Sequence, residues 1–396
     1  MNKKLMAVAV AGVLAAPAVA FAQASNVQLY GRANLGIDSY AATGAAAGAA
    51  ADIKSRTRVY DAASRVGLRG TEDLGGGLKA IFQIETGINM DGNSNTGQGG
   101  QTNSSSGFWA TRDSYAGLDG NFGRVTFGRQ SIWWVNGPYM QHGANYVNTD
   151  VPFLNLNGGR VAIGVARQND AFAYTTPTFS GFNATLSWSP NAGGGAFGNN
   201  ETSQAGTNTD GRIWGATVRW YPGGPFGVQA DYVQRKAVTP AAGFRQTNSG
   251  WKVVGGWTYM PGSQLGLIAG QAKQNDIAAG VAGMSAAGDD LKQNMYGVGW
   301  EHTIGAFQVM AQYAQLRNAS GCSVATGCDD TAVKGYMIGG RYFMSKRTWL
   351  YVSYNKTVND AKQNADYAAG AMTSANPGIA AGADPRIIAL GLWHAF

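Results

Sequence analysis

From Val27 to the C-terminus, apolar and polar side chains alternate every second residue in one short segment after another. That period belongs to strands, because successive side chains leave a strand on opposite faces. In Val27-Gln28-Leu29-Tyr30-Gly31-Arg32-Ala33-Asn34-Leu35 the odd positions are apolar or small and the even ones mostly polar. Phe307, Val309, Ala311 and Tyr313 alternate in the same way with Gln308 and Gln312. A soluble β-sandwich turns polar faces outward, so greasy faces of this size need a second sheet or lipid to cover them. Lipid fits better, since nearly every segment repeats the pattern and a closed barrel is the sheet that leaves no backbone group unpaired in a membrane.

The connections count the strands. Tight ones fall at Thr71 to Gly77, Asp119 to Gly123, Thr176 to Gly181, Tyr221 to Gly227, Met260 to Gln264, His302 to Ala306 and Met344 to Thr348. Longer polar stretches occupy roughly 39–56, 90–106, 131–165, 191–210, 239–249, 276–290, 319–332 and 359–384. Seven turns and eight loops join sixteen strands, so the fold expected is all-β, a 16-stranded antiparallel transmembrane barrel. Short turns on the periplasmic side and long loops outside are the habit of outer-membrane barrels, and they put both chain ends in the periplasm. Trp220 and Tyr221, Trp257 and Tyr259, Tyr342 and Phe343, and Trp393 flank turns or the terminus, as an interfacial aromatic girdle would.

Composition agrees. Glycine is 58 of 396 residues, about twice its usual share, and charged residues are 13%. The apolar run Leu5 to Ala22, 18 residues behind Lys3 and Lys4, ends in Ala20-Phe21-Ala22. This is the order of a secretory signal peptide, here residues 1–22 cut between Ala22 and Gln23, leaving 23–396 as the barrel. A retained anchor is the other reading of that length, opposed by Pro17 and the small-residue site. Cleavage removes two lysines and no acids, so 30 basic residues become 28 against 23 acidic, a net charge of +5. The basic residues are scattered singly rather than in runs, which argues against nucleic acid as a partner.

Cys322 and Cys328 stand in the polar stretch Asn318 to Asp330. In an oxidising periplasm they can close a small disulfide or remain two free thiols. No histidine or further cysteine lies nearby, so no metal site is suggested. His142, His302 and His394 fall far apart in this topology, and no nucleophile elbow, phosphate-cradling Gly-Lys motif or metal-ligand cluster occurs. The sequence therefore points to no enzyme and to no cofactor.

Four pieces carry a resemblance: NVQLYGRANLGID at Asn26 to Asp38, SRVGLRGTEDLGGGLKAIFQIETG at Ser64 to Gly87, SYAGLDGNFGRVTFGRQ at Ser114 to Gln130, and GLWHAF at Gly391 to Phe396. With them the chain resembles the general porins of Gram-negative bacteria, above all the trimeric sixteen-stranded kind of β-proteobacteria. The likeness spans the mature chain; one departure is Thr176-Pro177 where the family usually has Ser-Pro. It implies a homotrimer in outer-membrane lipid, passive passage of small hydrophilic solutes and ions, and a third external loop folded into the pore. It also implies that the terminal Phe396 is read by the barrel-assembly machinery.

A sixteen-stranded barrel is wider than its own side chains fill, so something must narrow it. The third loop, Ser131 to Val165, is rich in apolar residues for a segment bathed in solvent, among them Trp133, Trp134, Tyr139, Tyr146 and Phe153. This points to a loop packed on the barrel wall as a constriction. From Ser131 to Gly159 its single acid is Asp150, so the wall opposite should be basic. Alternation puts Arg32, Arg65 and Arg69 on polar faces, and all three match pore-lining positions of the family. Arg112 is assigned to the pore by resemblance; alternation leaves it open, because Tyr115 competes with Ala116 and Leu118 for the inner face. Arg167 matches in part. Lys79 and Arg124 fall on polar faces but can equally meet headgroups or solvent at strand ends. An anion-preferring diffusion pore is the expectation, with a substrate-specific channel or a surface adhesin barrel as alternatives.

Overall fold

The computed structural model describes residues 26–88, 90–91, 109–133, 139–140, 156, 159–164, 167–190, 211–236, 246–277, 280, 283–366 and 379–396. Seventeen strand segments run β1 (Asn26–Thr43), β2 (Ile53–Asp61), β3 (Arg65–Gly75), β4 (Leu78–Gly87), β5 (Ser114–Gly120), β6 (Gly123–Ser131), β7 (Arg167–Thr175), β8 (Phe182–Ser189), β9 (Arg212–Trp220), β10 (Phe226–Lys236), β11 (Thr247–Met260), β12 (Ser263–Asn275), β13 (Leu291–Ile304), β14 (Phe307–Leu316), β15 (Val333–Ser345), β16 (Thr348–Asn359) and β17 (Asp384–Ala395). Every pairing is antiparallel between chain neighbours, and β17 returns to β1 through the register Arg32↔Ala395 to Thr43↔Asp384. β2 pairs with the later half of β1 and β3 with the earlier half, so the two segments are one stave and seventeen segments make sixteen staves.

The break inside that stave, at residues 62–64, interrupts one strand and leaves the count of sixteen unchanged. Ala63 takes a left-handed φ of 62°, which a non-glycine residue seldom adopts. Side chains of β1 and of the break itself bridge the two: Asn34 Nδ2 donates to Ala62 O at 3.1 Å, and the backbone N–H of Asn34 donates to Ser64 Oγ at 2.9 Å.

The seven tight turns and eight long connections lie where the alternation puts them, the turns all at one rim. The turn at Gly75-Gly76-Gly77 holds all three residues at positive φ (86°, 61° and 82°), a run that only glycine adopts without strain. Both described chain ends stand at this same rim, Asn26 paired with Thr71 and Phe396 exchanging backbone hydrogen bonds with Gly31.

Burial is inverted relative to a soluble protein. Along β10, Phe226, Val228 and Tyr232 are exposed while Gln229 and Asp231 are buried. The apolar face meets lipid and the polar face lines the inside, as a membrane barrel requires. Phe182 with Trp220, Phe226 with Trp257 and Phe307 with Tyr342 form cross-strand ring pairs on the outer face next to turns. Three of the expected girdle residues face inward instead. Trp393 stacks on Trp349 at 3.7 Å between centroids, Phe343 packs edge-on to Trp349, and Tyr221 packs against Tyr139. Each is one residue out of phase with an exposed neighbour such as Leu392 or Tyr342, and the pleat decides its face.

Cys322 and Cys328 are disulfide-bonded, with Cα atoms 5.6 Å apart. The Asp289 carboxylate accepts the N–H groups of Ser323 (3.0 Å) and Ala286 (2.9 Å), joining the disulfide loop to the connection before β13. Those two donors hold its pKa below the usual carboxylate range. By loop-closure entropy a ring this small contributes about 2 kcal/mol, confined to one loop. The C322S/C328S variant is therefore expected to lose amide-exchange protection over residues 318–330 with unchanged channel conductance; a changed conductance would tie this loop to the passage.

Candidate functional site

The register of the first staves brings charged side chains to one arc of the inner wall. Arg32 lies directly opposite Arg65, Tyr30 opposite Gly67, and Gln28 opposite Arg69, and residues opposite one another in an antiparallel pair share a face. The next pair adds Glu85 opposite Gly67 and Gln83 opposite Arg69. Gln83 in turn faces Tyr115, so Tyr115 is inward and Ala116 and Leu118 outward. Arg112 precedes β5, which is why alternation along that strand does not govern it.

Glu85 is the hub of the arc. Its Oε1 accepts from Arg112 Nε at 2.5 Å, and its Oε2 accepts from the Tyr30 hydroxyl at 3.1 Å and lies 3.6 Å from Arg65 Nε. Arg32 donates from Nε to Ala63 O at 3.0 Å and from Nη2 to Ala62 O at 3.4 Å, so the stave break holds this guanidinium in place. Asp113, next in the chain to Arg112, accepts from Arg167 Nε at 3.0 Å and from Ser131 Oγ at 3.0 Å. Arg32, Arg65, Arg112 and Arg167 thus stand together, four guanidiniums against the two carboxylates Glu85 and Asp113; Arg129 beside Arg167 and Asp61 beside Arg32 add one charge of each sign, so the excess is +2.

Arg69 stands apart, four residues nearer the turn rim, where Nε donates to Gln28 Oε1 at 3.1 Å and the guanidinium covers the Tyr30 ring at 5.1 Å. Arg124 and Lys79 both lie beside Asp119 on the inner face of that rim, and Arg124 Nε donates to Asp119 at 2.8 Å. Sequence reasoning missed Glu85, Asp113 and Tyr30. The signal for Glu85 was available: once the turn at Gly75–Leu78 is set, the antiparallel count carries Glu85 to the face of Arg65 and Arg69.

Described residues of the third loop, between β6 and β7, lie against the inner wall from β9 to β14, and Arg160 Nε reaches Lys362 O in the connection before β17. Tyr139 is buried among β10, β11 and β12, and Gln312 Nε2 of β14 donates to Met140 O at 3.1 Å. The returning limb is held by its carbonyl groups: Gln274 Nε2 donates to Ala162 O at 2.7 Å and Arg235 Nη1 to Gly164 O at 2.7 Å. Tyr146 and Asp150 of this loop, and the cleavage residues Ala22 and Gln23, lie outside the described residues.

A Gram-negative porin family profile matches residues 7–362. Outer membrane porin protein 32 of Delftia acidovorans is 30% identical to this chain, with the whole of both chains covered. An outer membrane porin protein of Bordetella pertussis is 29% identical over 76% of this chain and 80% of its own. Against major outer membrane protein P.IB of Neisseria gonorrhoeae the identity is 29% over 52% of this chain, which spans 53% of that protein's length. Among solved structures, the anion-selective porin from Comamonas acidovorans superposes with a TM-score of 0.70 at 26% identity, covering 94% of this chain and 100% of that one. The outer membrane channel DcaP of Acinetobacter baumannii shares the fold, with a TM-score of 0.62 at 16% identity.

Proposed function

The chain belongs to the Gram-negative porin family of the outer membrane, and from that premise we propose that it is a general diffusion pore whose arginine arc makes it prefer anions. The observation that carries the preference is the +2 excess of the arc around Glu85 and Asp113. In a narrow aqueous passage each unpaired positive charge lowers the energy of an anion and raises that of a cation, and the protein performs no chemistry on either. A guanidinium suits this task, since it stays charged at any physiological pH and is pre-organised by its neighbours. Support also comes from the relative of 26% identity named an anion-selective porin.

The same reading has Arg69, Arg124 and Lys79 handing anions on at the turn rim, where the rim faces the periplasm and both chain ends lie. It has residues 1–22 removed between Ala22 and Gln23 during export, Tyr146 and Asp150 placed with Tyr139 in the constriction loop, and three copies associating through small outward residues such as Ala33, while Gly31 on the same face is covered by the Phe396 ring. The pore serves small hydrophilic solutes and ions as a passive conduit, without enzymatic turnover or cofactor.

In a planar bilayer with a salt gradient, purified protein is expected to insert in large ohmic steps, grouped in threes, with a reversal potential of anion sign. A cation-signed potential would reject the role given to the arc, and properly folded protein without conductance would reject the pore.

A further inference from the structure

The inner wall facing the third loop carries a row of glycines. Gly227 of β10 is in register with Gly256 of β11, Gly256 with Gly266 of β12, and Gly266 with Gly299 of β13. Their chain neighbours Phe226, Trp257, Leu267 and Trp300 are exposed on the outer face, so the row itself points inward. Glycine weakens a strand interior, and a glycine there often marks the close approach of another group.

The approaching group is Tyr139. Any side chain on Gly256 would overlap its ring, and a Cβ on Gly227 would stand 2.6 Å from its hydroxyl. A Cβ on Gly266 would stand 2.9 Å from the Tyr139 Cβ. The ring is 8% exposed and lies edge-on to Tyr221 at 6.4 Å between centroids. A second hold sits on the same wall, where fully buried Lys252 places Nζ 3.9 Å from the centre of the Trp133 ring and 4.0 Å from Asp231 Oδ2. A buried ring brings a large contact area and a fixed geometry, and in this groove it fixes how far the loop stands from the arginine arc.

We propose that Tyr139, seated in the glycine row Gly227-Gly256-Gly266, is the positioning residue that sets the size of the passage. The proposal rests on the reading that the third loop narrows the pore. Removing the ring, or filling its seat, releases the loop from the wall and lets its height vary.

The test compares Y139A, G256V and Y139F with the wild type, with folding checked by heat-modifiable gel migration. Readouts are single-channel conductance and the largest sugar admitted in liposome swelling. Y139A and G256V are expected to lower conductance about twofold and to exclude sugars that the wild type admits, as a loop displaced from the wall into the lumen requires, while Y139F stays at the wild-type values. Folded Y139A with wild-type conductance and cutoff overturns the proposal, and Y139A decides alone if G256V fails to fold, since it only removes atoms. A162C treated with a bulky charged thiol reagent separates the two levels, because the natural cysteines are paired. Block of the current with an unaltered Y139A channel rejects the Tyr139 seat and leaves the constricting loop standing. Absence of block on fully labelled protein rejects the constricting loop and the seat together.

Discussion

The R65Q/R112Q channel is expected to lose its anion preference, and the loss follows from counting charge around two carboxylates. Arg32, Arg65, Arg112 and Arg167 exceed Glu85 and Asp113 by two, and the double substitution brings that balance to zero. A unit charge about 8 Å from a permeating ion is worth about 0.5 kcal/mol in water, with opposite sign for anion and cation, so each arginine shifts the permeability ratio about fivefold before screening. With a Debye length of about 8 Å at physiological salt, screening leaves about a third of each energy, and the two together amount to about fourfold. Removing Glu85 as well, in R65Q/R112Q/E85Q, restores an excess of one positive charge and is expected to give an intermediate preference. Reversal potentials across a salt gradient read all three channels. An unchanged preference in the folded double variant would move selectivity off this arc, to the wall that holds Arg235 and Lys252.

Deleting Phe396 is expected to deplete the barrel from the outer membrane while leaving its refolding in detergent almost intact. The residue exchanges two backbone hydrogen bonds of 3.1 Å with Gly31, and its ring lies over the Gly31 Cα. Their net worth is about 1 kcal/mol each, small against the seam that β1 and β17 form from Arg32↔Ala395 to Thr43↔Asp384. The ring is half exposed, so a factor outside the barrel can reach it. Immunoblots of outer-membrane fractions and in vitro refolding yields separate the roles. Depletion in cells with normal refolding marks Phe396 as an assembly signal, whereas failure of both marks it as part of the closing seam. Normal abundance in the membrane would dismiss both.

Much of this architecture was legible residue by residue, because a strand's period is local. The pleat alone puts Arg32, Arg65 and Arg69 on inner faces, and glycine chemistry locates the turn at Gly75-Gly76-Gly77. Aromatic residues were harder to place. Trp393 sits at a strand end, as a girdle residue does, yet its phase relative to Leu392 sends it into the lumen to stack on Trp349. The stave break at residues 62–64 carries no glycine or proline, and its left-handed Ala63 is supported by contacts from β1 that the local sequence does not contain.

By itself, then, the sequence determined the strand count, the alternation of faces and the basic character of the first inner staves, since each depends on spacing within a few residues. Only the tertiary structure decided how those parts become a site. Glu85 gathers Arg65, Arg112 and Tyr30 because a hairpin register and a loop converge on one carboxylate. Tyr139 finds its seat only after closure carries β10, β11 and β12 across from the third loop, and Gln312 reaches Met140 over 172 residues of chain. No period in the sequence encodes such a contact, because it is made across the lumen between positions that the closed barrel brings together.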